Sequence, residues 1–180
     1  YDDTALALEN AQAVAEGGAA LLTVHARTKA QGYNPPADWS WLKRIREHVA
    51  IPVVANGDVF TLADYLAIRE QSGCDIVMLG RGAVIRPDLA RQIKRYENGE
   101  AVGEAGFDSE IRGWIRQFFA LCEAKEGEGR YASARLKQWL GMMKKEFGEA
   151  QELFDAVRAV KDAEEVARIL AAFEDRMNAG

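Results

Sequence analysis

The amino-acid sequence predicts an α/β fold followed by an all-α helical region. Up to about residue 99, short β-rich runs alternate with helical stretches, and beyond residue 108 only helical patterns follow. This alternation is typical of parallel βαβ architecture, because parallel strands require long crossover connections that are usually helical. The composition agrees, since 48% of the 180 residues are hydrophobic and 28% are charged, as in globular proteins with a sizeable core.

The strands and helices of the first part follow in order along the chain. Strands are predicted at 20–25, 51–56 and 75–80. Each is nearly continuous in apolar residues, which is typical of strands buried on both faces. Helices are predicted at 3–16, 38–48, 61–72 and 87–98. Thr61, with Asp64 three residues later, resembles a capping box at the start of the third helix.

Three parallel strands with their helices leave both edges of the sheet unpaired. The simplest prediction is therefore the C-terminal portion of a (β/α)8 TIM barrel, about strands 6 to 8, followed by a helical bundle. A flavodoxin-like or Rossmann sheet is the alternative, although neither a GxGxxG nor a GxxxxGK[ST] sequence follows any strand.

The second part of the chain begins after a glycine-containing stretch without a strong period. We predict a barrel part at 1–99, a linker at 100–108 and a helical domain at 109–180. Its helices are predicted at 109–126, 130–147, 149–160 and 163–177. The second of them carries an apolar stripe at i, i+3, i+4, i+7 and i+11, formed by Leu136, Trp139, Leu140, Met143 and Phe147.

Charge and composition argue against several kinds of binding partner and site. With 23 basic and 28 acidic residues, the net charge of −5 argues against a protein that coats nucleic acid or an anionic membrane through bulk charge. No apolar run approaches the roughly 20 residues of a membrane helix. Cys74 and Cys122 lack CxxC spacing, so each is expected to be a buried apolar residue rather than a disulfide or metal ligand. These features predict a cytoplasmic protein without a metal, and a piece of a longer chain because no initiator Met is present.

Two of the predicted strands end in glycine-containing runs. They are Asn56-Gly57-Asp58 and Gly80-Arg81-Gly82. Ligands of parallel α/β folds bind beyond the carboxyl ends of the strands. Glycine lets backbone amides approach phosphate oxygens, and Arg81 adds a forked cation, so these loops predict a phosphate site. The alternative is that the glycines only form tight turns.

The first strand ends in a histidine and two cations. His25 is a candidate to hydrogen-bond a cofactor or substrate carbonyl, or to transfer a proton. A structural histidine with satisfied hydrogen bonds is the alternative. Arg27 is a stronger candidate for a substrate contact than Lys29, because a bidentate donor orients a planar partner.

Together these residues resemble the C-terminal half of the tRNA-dihydrouridine synthases. The family's TVHGRT signature and the segment after it are similar to the runs 23–29, Gly32-Tyr33 and 37–39, and its last two barrel strands match 51–58 and 73–83. The helical part resembles the C-type subfamily through 134–140 and 152–154. The resemblance covers nearly the whole chain.

The resemblance implies a flavoenzyme that acts on tRNA. It implies FMN, held through its phosphate at Asn56, Gly57, Asp58, Gly80 and Arg81, with His25 beside the flavin and Arg27 facing the substrate. NADPH would reduce the flavin, and the flavin would pass a hydride to C6 of a D-loop uridine, at position 16. An acid would protonate C5, which gives 5,6-dihydrouridine. The complete enzyme is expected to be a monomer.

The resemblance also implies that the chain lacks the catalytic acid. The family's acid is a cysteine in the first half of the barrel, and neither Cys74 nor Cys122 falls in a matching motif, so the chain alone is expected to be inactive. One further departure is Ala26, where the family usually has Gly. It places an additional methyl close to the cofactor face.

A basic flank on the predicted helix 130–147 agrees with RNA as a partner. Arg130, Lys137 and Lys144 recur every seven residues, with Arg135 and Lys145 nearby. Such a flank would contact backbone phosphates, and its alternative is an ordinary solvated face. Two other functions stay open: another FMN or sugar-phosphate barrel enzyme acting on a small metabolite, and a non-catalytic RNA-binding module.

Overall fold

The computed structural model describes residues 4–32, 34, 36–103, 106–125 and 130–179. Outside these residues lie positions 3 and 126 of two predicted helices, Tyr33 of the family-like segment, and positions 104 and 105 of the predicted linker. The described residues form an α/β protein that is mostly helical, with one small parallel sheet. No helix that they form is both long enough and apolar enough to cross a membrane.

The three predicted strands are present with shorter bounds. They are β1 (Leu22–His25), β2 (Val53–Asn56) and β3 (Ile76–Met78). The helices of this part are α1 (Ala7–Glu16), α2 (Ser40–His48), α3 (Leu62–Ser72), α4 (Arg81–Ile85) and α5 (Leu89–Glu97). Helix α4 is the one described helix that the sequence did not predict. It is a single short turn, too brief to show an apolar period.

The sheet has the order β1-β2-β3, and both pairs of strands are parallel. In the register, His25 pairs with Asn56 and Asn56 pairs with Met78. Side chains alternate between the two faces of a strand, so these three residues lie in one row on the same face. The row stands at the carboxyl ends of the strands.

One face of the sheet packs against helices α1, α2 and α3. Leu42 and Ile68 of these helices are fully buried together with Ala55 of the sheet. The opposite face is less covered: the side chains of Ile76 and Met78 are 50% and 46% exposed. The expectation that every strand is buried on both faces is therefore wrong for β1 and β3, which lie at the edges, and holds only for β2.

Helix α3 begins at the capping box that the sequence predicts. Asp64 donates its backbone N–H to Oγ1 of Thr61 at 3.1 Å, and its carboxylate accepts the N–H of Thr61 at 2.9 Å. This reciprocal pair satisfies two of the backbone donors that a helix start leaves open. The cap thereby sets where the loop after β2 ends and α3 begins.

The chain forms two compact units. The first comprises Tyr1–Ala83 and Leu89–Ala101, and the second comprises Val84–Asp88 and Val102–Gly180. The second unit contains α6 (Ser109–Lys125), α7 (Arg130–Met143), α8 (Gly148–Val157) and α9 (Ala163–Ala179). Their assignment to functional domains stays a prediction.

Helices α6 to α9 share one hydrophobic core. The predicted stripe of α7 faces it, since Leu136, Leu140 and Met143 are fully buried. Trp139 is half-buried, and its indole N–H donates to the backbone carbonyl of Val84 at 2.7 Å. Cys122 packs into the same core and Cys74 into the core of the first unit, so both cysteines are buried as expected.

Candidate functional site

The carboxyl ends of the three strands border a cavity of about 270 Å³. All six residues predicted to bind a cofactor line it: His25, Asn56, Gly57, Asp58, Gly80 and Arg81. Val59, Phe60, Met78 and Gly82 complete the lining. The structure thus brings together six predicted residues that lie up to 56 positions apart in sequence. Their contact with a cofactor stays a prediction.

A row of hydrogen bonds crosses the sheet at the cavity. His25 Nδ1 lies 2.6 Å from Oδ1 of Asn56, and Nδ2 of Asn56 donates to the backbone carbonyl of Met78 at 2.8 Å. The parallel register places the three residues side by side, so the contacts need no distortion of the strands. Asn56 therefore links the first strand to the third.

The Asp58 carboxylate, at the lining of the cavity, contacts three other residues. Its Oδ2 accepts hydrogen bonds from Nη2 of Arg27 and from the backbone N–H of Ala37, the latter at 2.8 Å, and its Oδ1 lies 3.4 Å from Nη2 of Arg81. The side chain is only 11% exposed. Asp58 has φ +50°, the left-handed region that Asp tolerates better than most residues. The carboxylate is thus already engaged by protein donors.

Arg27 lies deeper than a surface contact residue. Its side chain is 1% exposed and forms an ion pair with Asp58. Among the described residues, Nε and Nη1 of Arg27 have no hydrogen-bond partner. Arg27 is not among the residues that line the strand-end cavity, and Lys29 is exposed in the following loop. A substrate contact of either residue stays a prediction.

The backbone at Gly57 passes too close to its neighbours for a side chain. Gly57 has φ +147°, and a Cβ there would lie 3.0 Å from the methyl of Ala37 and 3.3 Å from that of Ala26. Ala26 is 3% exposed and is not among the residues that line the strand-end cavity. The Ala26 methyl packs beneath Gly57, which lines the cavity, and its closeness to a bound cofactor stays a prediction.

Gly82 lies in one of the predicted phosphate loops, but the sequence analysis did not name it as a cofactor-binding residue. A Cβ at this position would lie 1.9 Å from the carbonyl oxygen of Val59. Glycine at position 82 therefore permits the start of α4 to approach the loop after β2. The glycine itself was the available signal, but the sequence does not show which backbone segment lies against it.

The four basic residues predicted to bind RNA differ in exposure and in their contacts with the second unit. Arg130 and Arg135 are exposed, and Arg135 donates to Gln138 Oε1 at 2.7 Å. Lys137 donates to the backbone carbonyl of Val160, and Nζ of Lys144 lies 4.0 Å from the ring centroid of Phe154. The two lysines are thus half-buried and held by their own unit. Contact of these four residues with RNA stays a prediction.

Comparison with known proteins decides the family. Residues 1–178 match the family model described as dihydrouridine synthase. The chain belongs to the dihydrouridine synthase family. The resemblance predicted from the strand-end motifs is therefore confirmed.

The chain is also similar in sequence to individual tRNA-dihydrouridine synthases. The chain is 66% identical over 178 residues to the tRNA-dihydrouridine(16) synthase of Neisseria meningitidis serogroup B, covering 99% of this chain and 53% of that protein. It is 47% identical over 165 residues to the protein of the same name from Aquipseudomonas alcaligenes, covering 92% and 52%. The Shewanella oneidensis protein of that name is 35% identical over 178 residues, covering 99% and 54%. The chain thus spans about half the length of the curated relatives it matches.

We predict that Gly82→Ala destabilises the full-length protein by about 1–3 kcal/mol, since the added methyl meets a backbone carbonyl that no side-chain rotation can move. Denaturant unfolding measures this change. Gly113→Ala is the matched control, because a Cβ at Gly113, inside α6, meets nothing within 4 Å. It should be neutral or stabilising. Equal stability of Gly82→Ala and the wild type would contradict the close approach.

We predict that Asp58→Asn lowers the free energy of unfolding by about 3–5 kcal/mol, because it leaves the buried Arg27 guanidinium without its counter-charge. The exposed Asp75→Asn is the control and should stay within about 0.5 kcal/mol of wild type. Combining Asp58→Asn with Arg27→Met should recover part of the loss, because the uncompensated charge is removed. Strictly additive effects in the double variant would show that the pair is not coupled.

Proposed function

We propose that the full-length protein reduces a D-loop uridine of tRNA, at position 16, to 5,6-dihydrouridine, with FMN as cofactor and NADPH as reductant. One observation carries this proposal beyond family membership: the six residues that the resemblance assigns to FMN line a single cavity. The relatives are named for this position of tRNA, which supports the choice of substrate.

The chemistry of the cavity fits a phosphate group. The Arg81 side chain is 45% exposed there, and a guanidinium recognises a phosphate through forked hydrogen bonds. Gly80 carries no side chain, and only the Asn56 amide lies within 4 Å of the place of its Cβ, so a phosphate can approach its backbone closely. Asp58 at 3.4 Å and the Phe60 ring at 5.7 Å hold the Arg81 guanidinium in place. In the proposed complex, these residues bind the FMN phosphate.

The other residues of the cavity would orient the flavin ring of FMN and the substrate. FMN, when bound, supplies the hydride that reduces the uracil ring. His25 stands at the end of β1, on the row that Asn56 and Met78 complete, and would contact the flavin or the substrate. The acid that protonates the uracil is not assigned to Cys74 or Cys122, because both are buried in hydrophobic cores.

The uncovered parts of the sheet support a larger barrel. Besides the exposed face at Ile76 and Met78, a second cavity of about 320 Å³ runs along the outer edge of β1, between residues 22–28 and helix α1. A parallel strand that precedes α1 in the chain would pair with this edge. We therefore propose that β1, β2 and β3 are strands 6 to 8 of a (β/α)8 barrel and that the catalytic cysteine lies in the other half.

The helical unit is the proposed tRNA-binding domain. Two of its exposed cations, Arg130 and Arg135, belong to the predicted basic flank and are available to backbone phosphates without breaking a contact of the protein core. Neither alternative, a small-metabolite barrel enzyme or a non-catalytic RNA module, is favoured by a specific observation.

We predict that Arg81→Ala weakens FMN binding by about 10-fold or more, because a charge-assisted hydrogen bond to phosphate contributes roughly 1.5–3 kcal/mol. Fluorescence titration of the apoprotein with FMN measures the affinity. Arg95→Ala is the control, since Arg95 lies on the surface of α5 and pairs with Glu100. Unchanged FMN affinity of Arg81→Ala would refute the phosphate assignment.

We predict that Arg130→Glu combined with Arg135→Glu weakens tRNA binding and makes its salt dependence less steep, because fewer backbone phosphates are neutralised and fewer counterions are released. The logarithmic slope should fall by about one for each phosphate that the variant no longer binds. Binding of a tRNA transcript at several salt concentrations measures both effects. Lys43→Glu combined with Lys94→Glu, on the exposed surfaces of α2 and α5, changes the net charge by the same amount and is the control. Wild-type affinity of the double variant at low salt would argue against this surface.

A further inference from the structure

The hydrogen bonds of Asn56 determine where the hydrogen of His25 lies. The carbonyl oxygen of Met78 can only accept, so the Asn56 group 2.8 Å from it must be the amide nitrogen. The amide oxygen of Asn56 therefore faces the imidazole, at 2.6 Å from Nδ1. Because that oxygen can only accept, Nδ1 must carry a hydrogen.

We infer that Asn56 is a positioning residue that holds neutral His25 in the Nδ1–H tautomer, which leaves Nε2 as a hydrogen-bond acceptor. A ligand group that binds Nε2 of the neutral ring must then present an N–H or O–H donor. The neutral ring cannot donate to a ligand carbonyl from this atom. This narrows the roles that the sequence left open for His25.

The arrangement is set by the backbone. His25, Asn56 and Met78 are partners in the register of adjacent strands, so the order of ring, amide and carbonyl follows from the sheet. Neutral imidazole in water prefers the other tautomer, with the hydrogen on Nε2. The protein must therefore impose the Nδ1–H form, and among the described residues only Asn56 hydrogen-bonds the ring.

The inference rests on the proposed function only for the identity of the ligand that donates a hydrogen bond to Nε2 of His25. The isoalloxazine ring of FMN and the uracil ring both carry an N–H between two carbonyls, so either supplies the same chemistry. The tautomer itself is a property of the protein without any ligand. It can therefore be tested whether or not FMN binds.

The test is a long-range ¹H–¹⁵N correlation spectrum of the full-length protein labelled with ¹⁵N-histidine, recorded near pH 9, where imidazole is neutral. The couplings of each ring nitrogen to the carbon-bound protons show which nitrogen lacks a hydrogen. His25→Gln and His48→Gln assign the signals. His48 is the internal control, because it is exposed and should keep the preference of free imidazole.

In the wild type, we expect Nε2 of His25 to be the nitrogen without hydrogen. Asn56→Ala should return His25 to the Nε2–H form, and Asn56→Asp should retain the Nδ1–H form, since a carboxylate also accepts from Nδ1. Asn98→Ala, in the turn after α5, should change nothing. Once the signals are assigned, the wild-type spectrum decides the tautomer without an Asn56 variant, so an Asn56 variant that fails to fold does not remove the test. Finding Nδ1 without hydrogen in the wild type, or no change in folded Asn56→Ala, would overturn the inference.

Additions to the apoprotein identify the donor. Acceptance of a hydrogen bond moves the Nε2 signal upfield. A shift with FMN alone assigns the donor to the flavin, and a shift only after an unmodified tRNA transcript is added assigns it to the substrate. Failure of FMN to bind refutes the proposed function but leaves the tautomer intact. Binding of both without any shift refutes the donor contact at Nε2.

Discussion

The in-register parallel pairing of β1, β2 and β3 decides where every residue of the candidate site lies. It brings the ends of the three strands to one edge and places His25 beside Asn56, and Asn56 beside Met78. A shift of one residue in either pair would turn the side chains of one strand to the opposite face. The hydrogen bonds across the row would then break, and the residues would no longer line one cavity.

Asp58 connects this row to the loops that follow it. One carboxylate binds two guanidinium groups, one buried at Arg27 and one exposed at Arg81, and also the backbone at Ala37. A buried ion pair gains little net stability, because desolvation offsets the attraction. The main effect of the Arg27–Asp58 pair is to hold the loop after β1 against the loop after β2. The same carboxylate leaves Arg81 oriented toward the cavity.

Much of this arrangement could be predicted from the sequence, because it depends on local patterns. The alternation of apolar runs with helical stretches predicts the strands and helices. The rule that ligands bind at the carboxyl ends of parallel strands groups the six cavity residues. Other features depend on which segments meet in space. The contact of Gly82 with Val59, the burial of Arg27, and the contacts of Lys137 and Lys144 within their own unit carry no signal in the linear pattern. The apolar runs likewise do not show that β1 and β3 lie at the edges of the described sheet.

Residues 84–88 follow the start of α4 and precede α5, yet they belong to the second unit, where the Val84 carbonyl accepts the indole N–H of Trp139. The helical unit is therefore discontinuous in sequence. A polypeptide that started at residue 102 would contain α6 to α9 but would leave the Trp139 indole without its carbonyl. A single cut between the two units consequently cannot yield a complete helical unit. An isolated helical unit would need residues 84–88 as well, added as a separate peptide or joined by circular permutation.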